Sequence, residues 1–122
     1  MLKLPRVKGE RLIIGEDSEQ IILEHFGYSI KDDGSIEIML GIIAPNDFEI
    51  STSSGIYSKP TQQHNSNDRR QGKKLLIARN VGDKVHIGES VSVLLAETAG
   101  AKVFFGIDAP RHIRIMREEL LT

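Results

Sequence analysis

Arg6 and Arg79 hold the same place in a phrase that the chain writes twice. Leu4-Pro5-Arg6-Val7-Lys8-Gly9-Glu10-Arg11-Leu12-Ile13-Ile14-Gly15 returns as Ile77-Ala78-Arg79-Asn80-Val81-Gly82-Asp83-Lys84-Val85-His86-Ile87-Gly88. In both, the arginine precedes the first glycine by three positions, and the two glycines lie six apart. Each copy then closes on a second phrase, Gly41-Ile42-Ile43-Ala44-Pro45 and Gly106-Ile107-Asp108-Ala109-Pro110. A guanidinium carries a rigid fork of donors that fits a phosphate or the edge of a guanine. The chemistry such residues suggest is recognition; taken outside the repeat, they would read as exposed strand charges.

Little else in the chain points to bond-making. There is no cysteine, hence no thiol nucleophile and no disulfide framework. His25, His64, His86 and His112 lack metal-ligand spacing and read as surface histidines. No Ser/His/Asp arrangement, pair of catalytic carboxylates or phosphate loop stands out. The expectation is no enzyme, no cofactor and no metal. Aromatics are few, Phe26, Phe48, Phe104, Phe105, Tyr28 and Tyr57, so a base-stacking platform of the RRM kind is not indicated. The net charge of -1 excludes non-specific nucleic-acid binding by charge alone. It divides unevenly: residues 1–57 carry -5, residues 58–73 carry +3 and residues 74–122 carry +1. Any nucleic-acid site must be local. The opening residues carry no apolar run fit for a signal peptide and no stretch reaches membrane-span length, so the expected location is cytoplasmic.

The elements that must position these residues are strands. Val91, Val93 and Leu95 alternate with polar or outward neighbours; Ala99-Gly100-Ala101 turns the chain, and Val103, Phe105 and Ile107 resume the alternation. Ile113, Ile115 and Met116 suggest a last short strand around Arg114 and Arg117. In the first copy Ile21-Ile22-Leu23 and Ile36, Ile38, Leu40 flank Asp32-Asp33-Gly34-Ser35, a strong hairpin signal. About eight extra residues fall near Phe26 to Lys31, which predicts a longer hairpin here. Each copy thus reads as about five strands with no firm helix, though Glu118-Glu119-Leu120-Leu121 could begin one. A copy of about 50 residues is too short to bury a good core alone, so one all-β, pseudo-symmetric unit is expected. Residues 1–57 form the first repeat and 74–122 the second. Residues 58–73, polar and without periodicity, read as a flexible linker.

Residues 75–121 resemble the carbon storage regulator (CsrA/RsmA) family of bacterial RNA-binding translational regulators. The resemblance rests on Leu75, Ile77, Arg79, Gly82, Asp83, Val85, Ile87 and Gly88, then Gly106, Ala109 and Pro110, then Ile113, Ile115, Arg117, Glu118, Glu119 and Leu120. The first copy matches through Leu4, Arg6, Gly9, Glu10, Leu12, Ile14, Gly15, Gly41, Ala44 and Pro45, and then decays. The resemblance implies a homodimer that exchanges first and last strands between subunits. Here both subunits would lie in one chain, as an interlocked β-sandwich or barrel and a monomer that mimics a dimer. It also implies two sites for a GGA triplet in an RNA hairpin loop, typically in a messenger leader, each joining the first strand of one copy to the last strand of the other.

Carried onto this sequence, the two sites are unequal. One joins Leu4 and Arg6 to Ile115 and Arg117, with Arg111 beside them. The other joins Ile77 and Arg79 to Ile50 and Thr52, where Thr52, Ser53, Ser54 and Asn46 replace Arg117, Glu118, Glu119 and Arg111. Met116 and Asp108 depart from the family's usual His and Asn, and Pro5 removes a backbone donor from the opening strand, which suits an edge. The implied function is post-transcriptional control through one intact site that takes messenger RNA or a small regulatory RNA. The rival is a protein-interaction module that binds a protein antagonist or acts as a decoy of a regulator of this type.

Overall fold

The structure is a computed structural model, and it describes residues 1–58 and 73–118. Among these residues the alternating segments form eleven strands. The first half supplies β1 (Leu2–Val7), β2 (Arg11–Ile14), β3 (Ile21–Ile30), β4 (Ile36–Ala44), β5 (Ile50–Thr52) and β6 (Gly55–Ser58). The second supplies β7 (Lys73–Asn80), β8 (Lys84–Ile87), β9 (Val91–Ala99), β10 (Lys102–Asp108) and β11 (Ile115–Arg117). The expected linker loses both ends to strands, because Ser58 closes β6 and Lys73 opens β7. Residues 59–72, which include His64, lie outside the described residues, as does the helix suggested beyond Glu118. No helix of the described residues is long and apolar enough to cross a membrane.

The strands assemble into two antiparallel sheets, ordered β1-β10-β9-β8-β5-β6 and β11-β2-β3-β4-β7. Each is a three-stranded meander from one half, flanked by the first and last strands of the other. Exchanging β1–β5 for β7–β11 maps one order onto the other. The registers map as well: Arg6 faces Val103 and Arg79 faces Ile38, while Leu4 faces Phe105 and Ile77 faces Leu40. Turn hydrogen bonds repeat, as in Gly9 N–H to His25 C=O and Gly82 N–H to Leu95 C=O, both 2.7 Å. Gly9 and Gly82 sit at φ 93° and 98°, a region that disfavours side chains, so both copies keep glycine there.

Inward residues of both sheets share one core. Leu12, Ile14, Leu23, Leu40 and Ile42 pack from one side; Val85, Ile87, Val93, Leu95 and Phe105 pack from the other. Each such side chain contributes about 1.5–3 kcal/mol on leaving water. Neither meander could bury this face without the other. Gly41 is glycine because the Phe26 ring lies over it: a Cβ there would stand 2.3 Å from a ring carbon.

One residue differs from the sequence-based expectation. His25 is 1% exposed and belongs to the interior, not the surface. A β-bulge at Phe26 shifts the β3–β4 register, and a matching shift in β9–β10 puts Leu95 at the same inward place. Gly27, at φ 122°, turns its N–H back to donate to His25 Nδ1 at 2.9 Å. Burial pushes the His25 pKa down, the Lys8 ammonium pushes it further, and Glu10 opposes both. A lowered folded-state pKa means that the unfolded chain takes up the proton first. Stability from this residue is complete above about pH 6.5 and falls as the pH drops below it, by at most about 1.4 kcal/mol per pH unit. Melting temperatures at pH 7.5 and 5.5 should therefore separate in the wild type more than in His25→Leu, which copies Leu95. Equal separations would refute the assignment.

Candidate nucleic-acid interface

The two expected sites lie where edges of the two sheets converge. β1 is the outer strand of one sheet and β11 the outer strand of the other. Pro5, in β1, fits because an edge strand can omit a donor on its open side. The edges meet at the start of β2. Arg6 Nη1 donates to the Arg11 carbonyl at 3.1 Å, while Leu12, the next residue, pairs with Arg117 of β11. Arg11 Nε donates to Glu24 Oε1 at 2.5 Å, and its Nη1 lies 3.6 Å from Glu118 Oε2. The hydrogen bond to Glu24, followed by the charges of Glu24 and Glu118, lifts the Arg11 pKa above its ordinary value against a smaller effect of burial. Arg11 is thereby a fixed cation that ties β2 to the residue after β11.

Within this first edge the predicted residues differ in presentation. Arg117 and Arg111 are exposed, and Leu4 and Ile115 are half-buried against the core. Arg6 is turned inward and is 5% exposed, with Nε donating to the Pro5 carbonyl at 2.7 Å. Its neighbour Glu10 accepts from Val7 N–H at 2.8 Å and lies 3.8 Å from Arg6 Nε. Arg6 thus holds the β1–β2 turn to the start of β2, while Arg117 is the arginine offered to solvent.

The second edge has the same frame and a different surface. Thr52 faces Val85 as Arg117 faces Leu12, so the register puts the threonine at the arginine's place. Ile50, Ile77 and Thr52 are all buried. Arg79 repeats the Arg6 arrangement with Asp83, which accepts from Asn80 N–H at 3.1 Å. Arg79 Nε stands 3.1 Å from Asp83 Oδ2, near enough for an ion pair but out of line for a hydrogen bond. Its outer nitrogens go elsewhere: Nη1 donates to Tyr57 Oη at 3.1 Å and Nη2 to Ser54 Oγ at 3.0 Å. The bond it donates to Tyr57, the largest effect, raises its pKa against desolvation, with the Asp83 charge acting in the same direction as that bond.

At these sites the sequence reading missed Tyr57, the role of Ser54 as a partner of Arg79, and the pair Arg11 and Glu24; it named Ser54 only as the residue in the place of Glu119. The signal for the first two was short. Ser53-Ser54-Gly55 is a turn composition, and Ile56-Tyr57 is a β-prone pair directly before a polar stretch.

Residues 75–122 match the family described as CsrA: Global regulator protein family, so this segment is a CsrA-family domain. A protein of Thermotoga petrophila named Translational regulator CsrA is 46% identical over 46 residues, covering 38% of this chain and 55% of the relative. A Nocardioides relative of the same name is 47% identical over 48 residues, 39% of this chain and 58% of its own length. One from Thermosipho melanesiensis is 44% identical over 46 residues, 38% of this chain and 61% of its own. The chain spans little more than half the length of the curated relatives it matches. No solved structure matches significantly.

Proposed function

We propose that this protein is an RNA-binding translational regulator that carries two carbon-storage-regulator-type halves in one chain and binds one RNA at the β1–β11 edge. The carrying observation is that the CsrA-family domain, residues 75–122, contributes β11 and Arg117 to an edge that the first half completes with β1. The relatives over this segment are named translational regulators. The ligand that fits is a single-stranded loop with its bases unstacked, a GGA triplet in a messenger leader hairpin. Exposed Arg117 and Arg111 supply donors for phosphate or guanine, half-buried Leu4 and Ile115 supply apolar contact, and open strand edges offer main-chain groups to base edges. Buried Arg6 positions β1 against β2 behind that surface.

One chain can supply the exchanged strands of both sheets, which supports a monomer as the working unit. Titration of a GGA hairpin, read by mass and stoichiometry, should give a single chain that binds one RNA, with a scrambled loop bound far more weakly. Two equal sites per chain, or no preference for the triplet, would refute this reading.

A further inference from the structure

Among the described residues, β6 has no counterpart in the second half. It pairs with β5 on the side away from β8, through Ile50–Ser58, Ser51–Ile56 and Thr52–Gly55. The matching strand β11 pairs with β2 and is the outer strand of its sheet among the described residues. The added strand changes everything around the second edge. Ile50 and Ile77 are 0% and 3% exposed, whereas their counterparts Ile115 and Leu4 are half-buried. The turn into β6 is fixed by Ser54 N–H donating to Thr52 Oγ1 at 3.1 Å. It delivers Ser54 and Tyr57 to the outer nitrogens of Arg79, with the tyrosine ring centre 6.0 Å from the guanidinium carbon.

An edge strand with free main-chain groups and an arginine fork beside it accepts an extended ligand. β6 supplies what such a ligand would supply: a main-chain partner for β5, a hydroxyl pair for the fork and an aromatic face for the cation. We infer that β6 is a plug built into the chain, occupying the second composite site so that RNA must displace it to reach Arg79. The inference rests on the reading of the β1–β11 edge as an RNA site. It differs from the view that the replacements at Thr52, Ser53, Ser54 and Asn46 by themselves silence the second edge.

Ile56→Pro separates the two explanations. Ile56 is 52% exposed, so the change spares the core, and proline is rejected from a sheet ladder. Phenylglyoxal modification of arginines, located by mass spectrometry, reads the plug without any RNA. Arg79 should react at least about tenfold faster in Ile56→Pro than in wild type, as expected for the loss of a charge-assisted hydrogen bond, with Arg117 unchanged. The double change Ser54→Ala, Tyr57→Phe should speed Arg79 in the same direction with β6 still in place. Equal Arg79 rates in all three proteins would overturn the plug.

In an Arg117→Ala background, which weakens the first edge by about ten- to a hundredfold, adding Ile56→Pro should bring back tight binding of one GGA hairpin per chain. An unmasked Arg79 that still takes no RNA would overturn the plug in favour of Thr52. A wild-type chain that ignores the hairpin would instead overturn the reading of the first edge, and the modification rates alone would then decide whether β6 masks Arg79.

Discussion

Arg117→Ala is expected to weaken binding of a GGA hairpin by about ten- to a hundredfold without altering the fold. The side chain is exposed, and the strand that carries it is held by backbone pairing of Ile115–Arg117 to Leu12–Ile14. Removing the guanidinium therefore leaves no cavity and breaks no core contact. What is lost is a charge-assisted contact to the ligand, about 1.5–3 kcal/mol, which gives the stated range. Arg79→Ala, at an edge where the guanidinium is already taken by Ser54, Tyr57 and Asp83, should leave RNA affinity nearly unchanged. Its cost should appear in melting temperature. Affinities of both variants by titration, with circular dichroism as the fold control, check the pair; equal losses would erase the distinction between the edges.

Residues 74–122 expressed alone are expected to have no folded monomer. Among the described residues β7 pairs only with β4 and β11 only with β2, both from the other half. Alone, the segment keeps the meander β8-β9-β10 with both flanks unpaired and the face of Val85, Val93 and Phe105 uncovered. A chain this short buries too little surface to offset its conformational entropy. Pairing with a second copy would restore both edges, so a homodimer is the expected folded species, and its melting temperature should rise with concentration. Sedimentation and thermal melts across a concentration series check this. A folded monomer would mean that strand exchange is not what completes the sheets.

Much of this frame was legible in the spacing of the repeat. The twin phrases, the hairpin at Asp32-Asp33-Gly34-Ser35 and the strands at Val91–Leu95 and Val103–Ile107 all follow from alternation and turn chemistry, and the all-β class follows from them. The correspondence of Thr52 to Arg117 came from the family resemblance, and the structure adds the register, Thr52 opposite Val85 as Arg117 is opposite Leu12. The rest depended on contacts between distant residues. His25 looked like a surface residue by its type alone, although it continues the inward alternation of Ile21 and Leu23; only the contacts of the fold show it enclosed. Arg6 and Arg79 are the same residue type in the same phrase, yet one turns to the Arg11 carbonyl and the other to Tyr57. β6 was hidden because a β-prone pair, Ile56-Tyr57, beside a polar stretch looks like loop until it finds an edge.

The exchange of edge strands also sets an order of events during synthesis. β1 leaves the ribosome before every other strand described here, yet Leu2 has to wait for Ile107 and Leu12 for Arg117. At the usual pace of translation that wait is roughly five to twenty seconds. Through it, the first half has a finished meander with nothing to close it, and long-range pairing of this kind is slow to form. The β1–β11 edge joins the earliest strand to the latest. A chain halted before Ile115 has neither Arg117 nor a cover for β2, so RNA binding at the proposed edge would certify that translation has run to the end of β11.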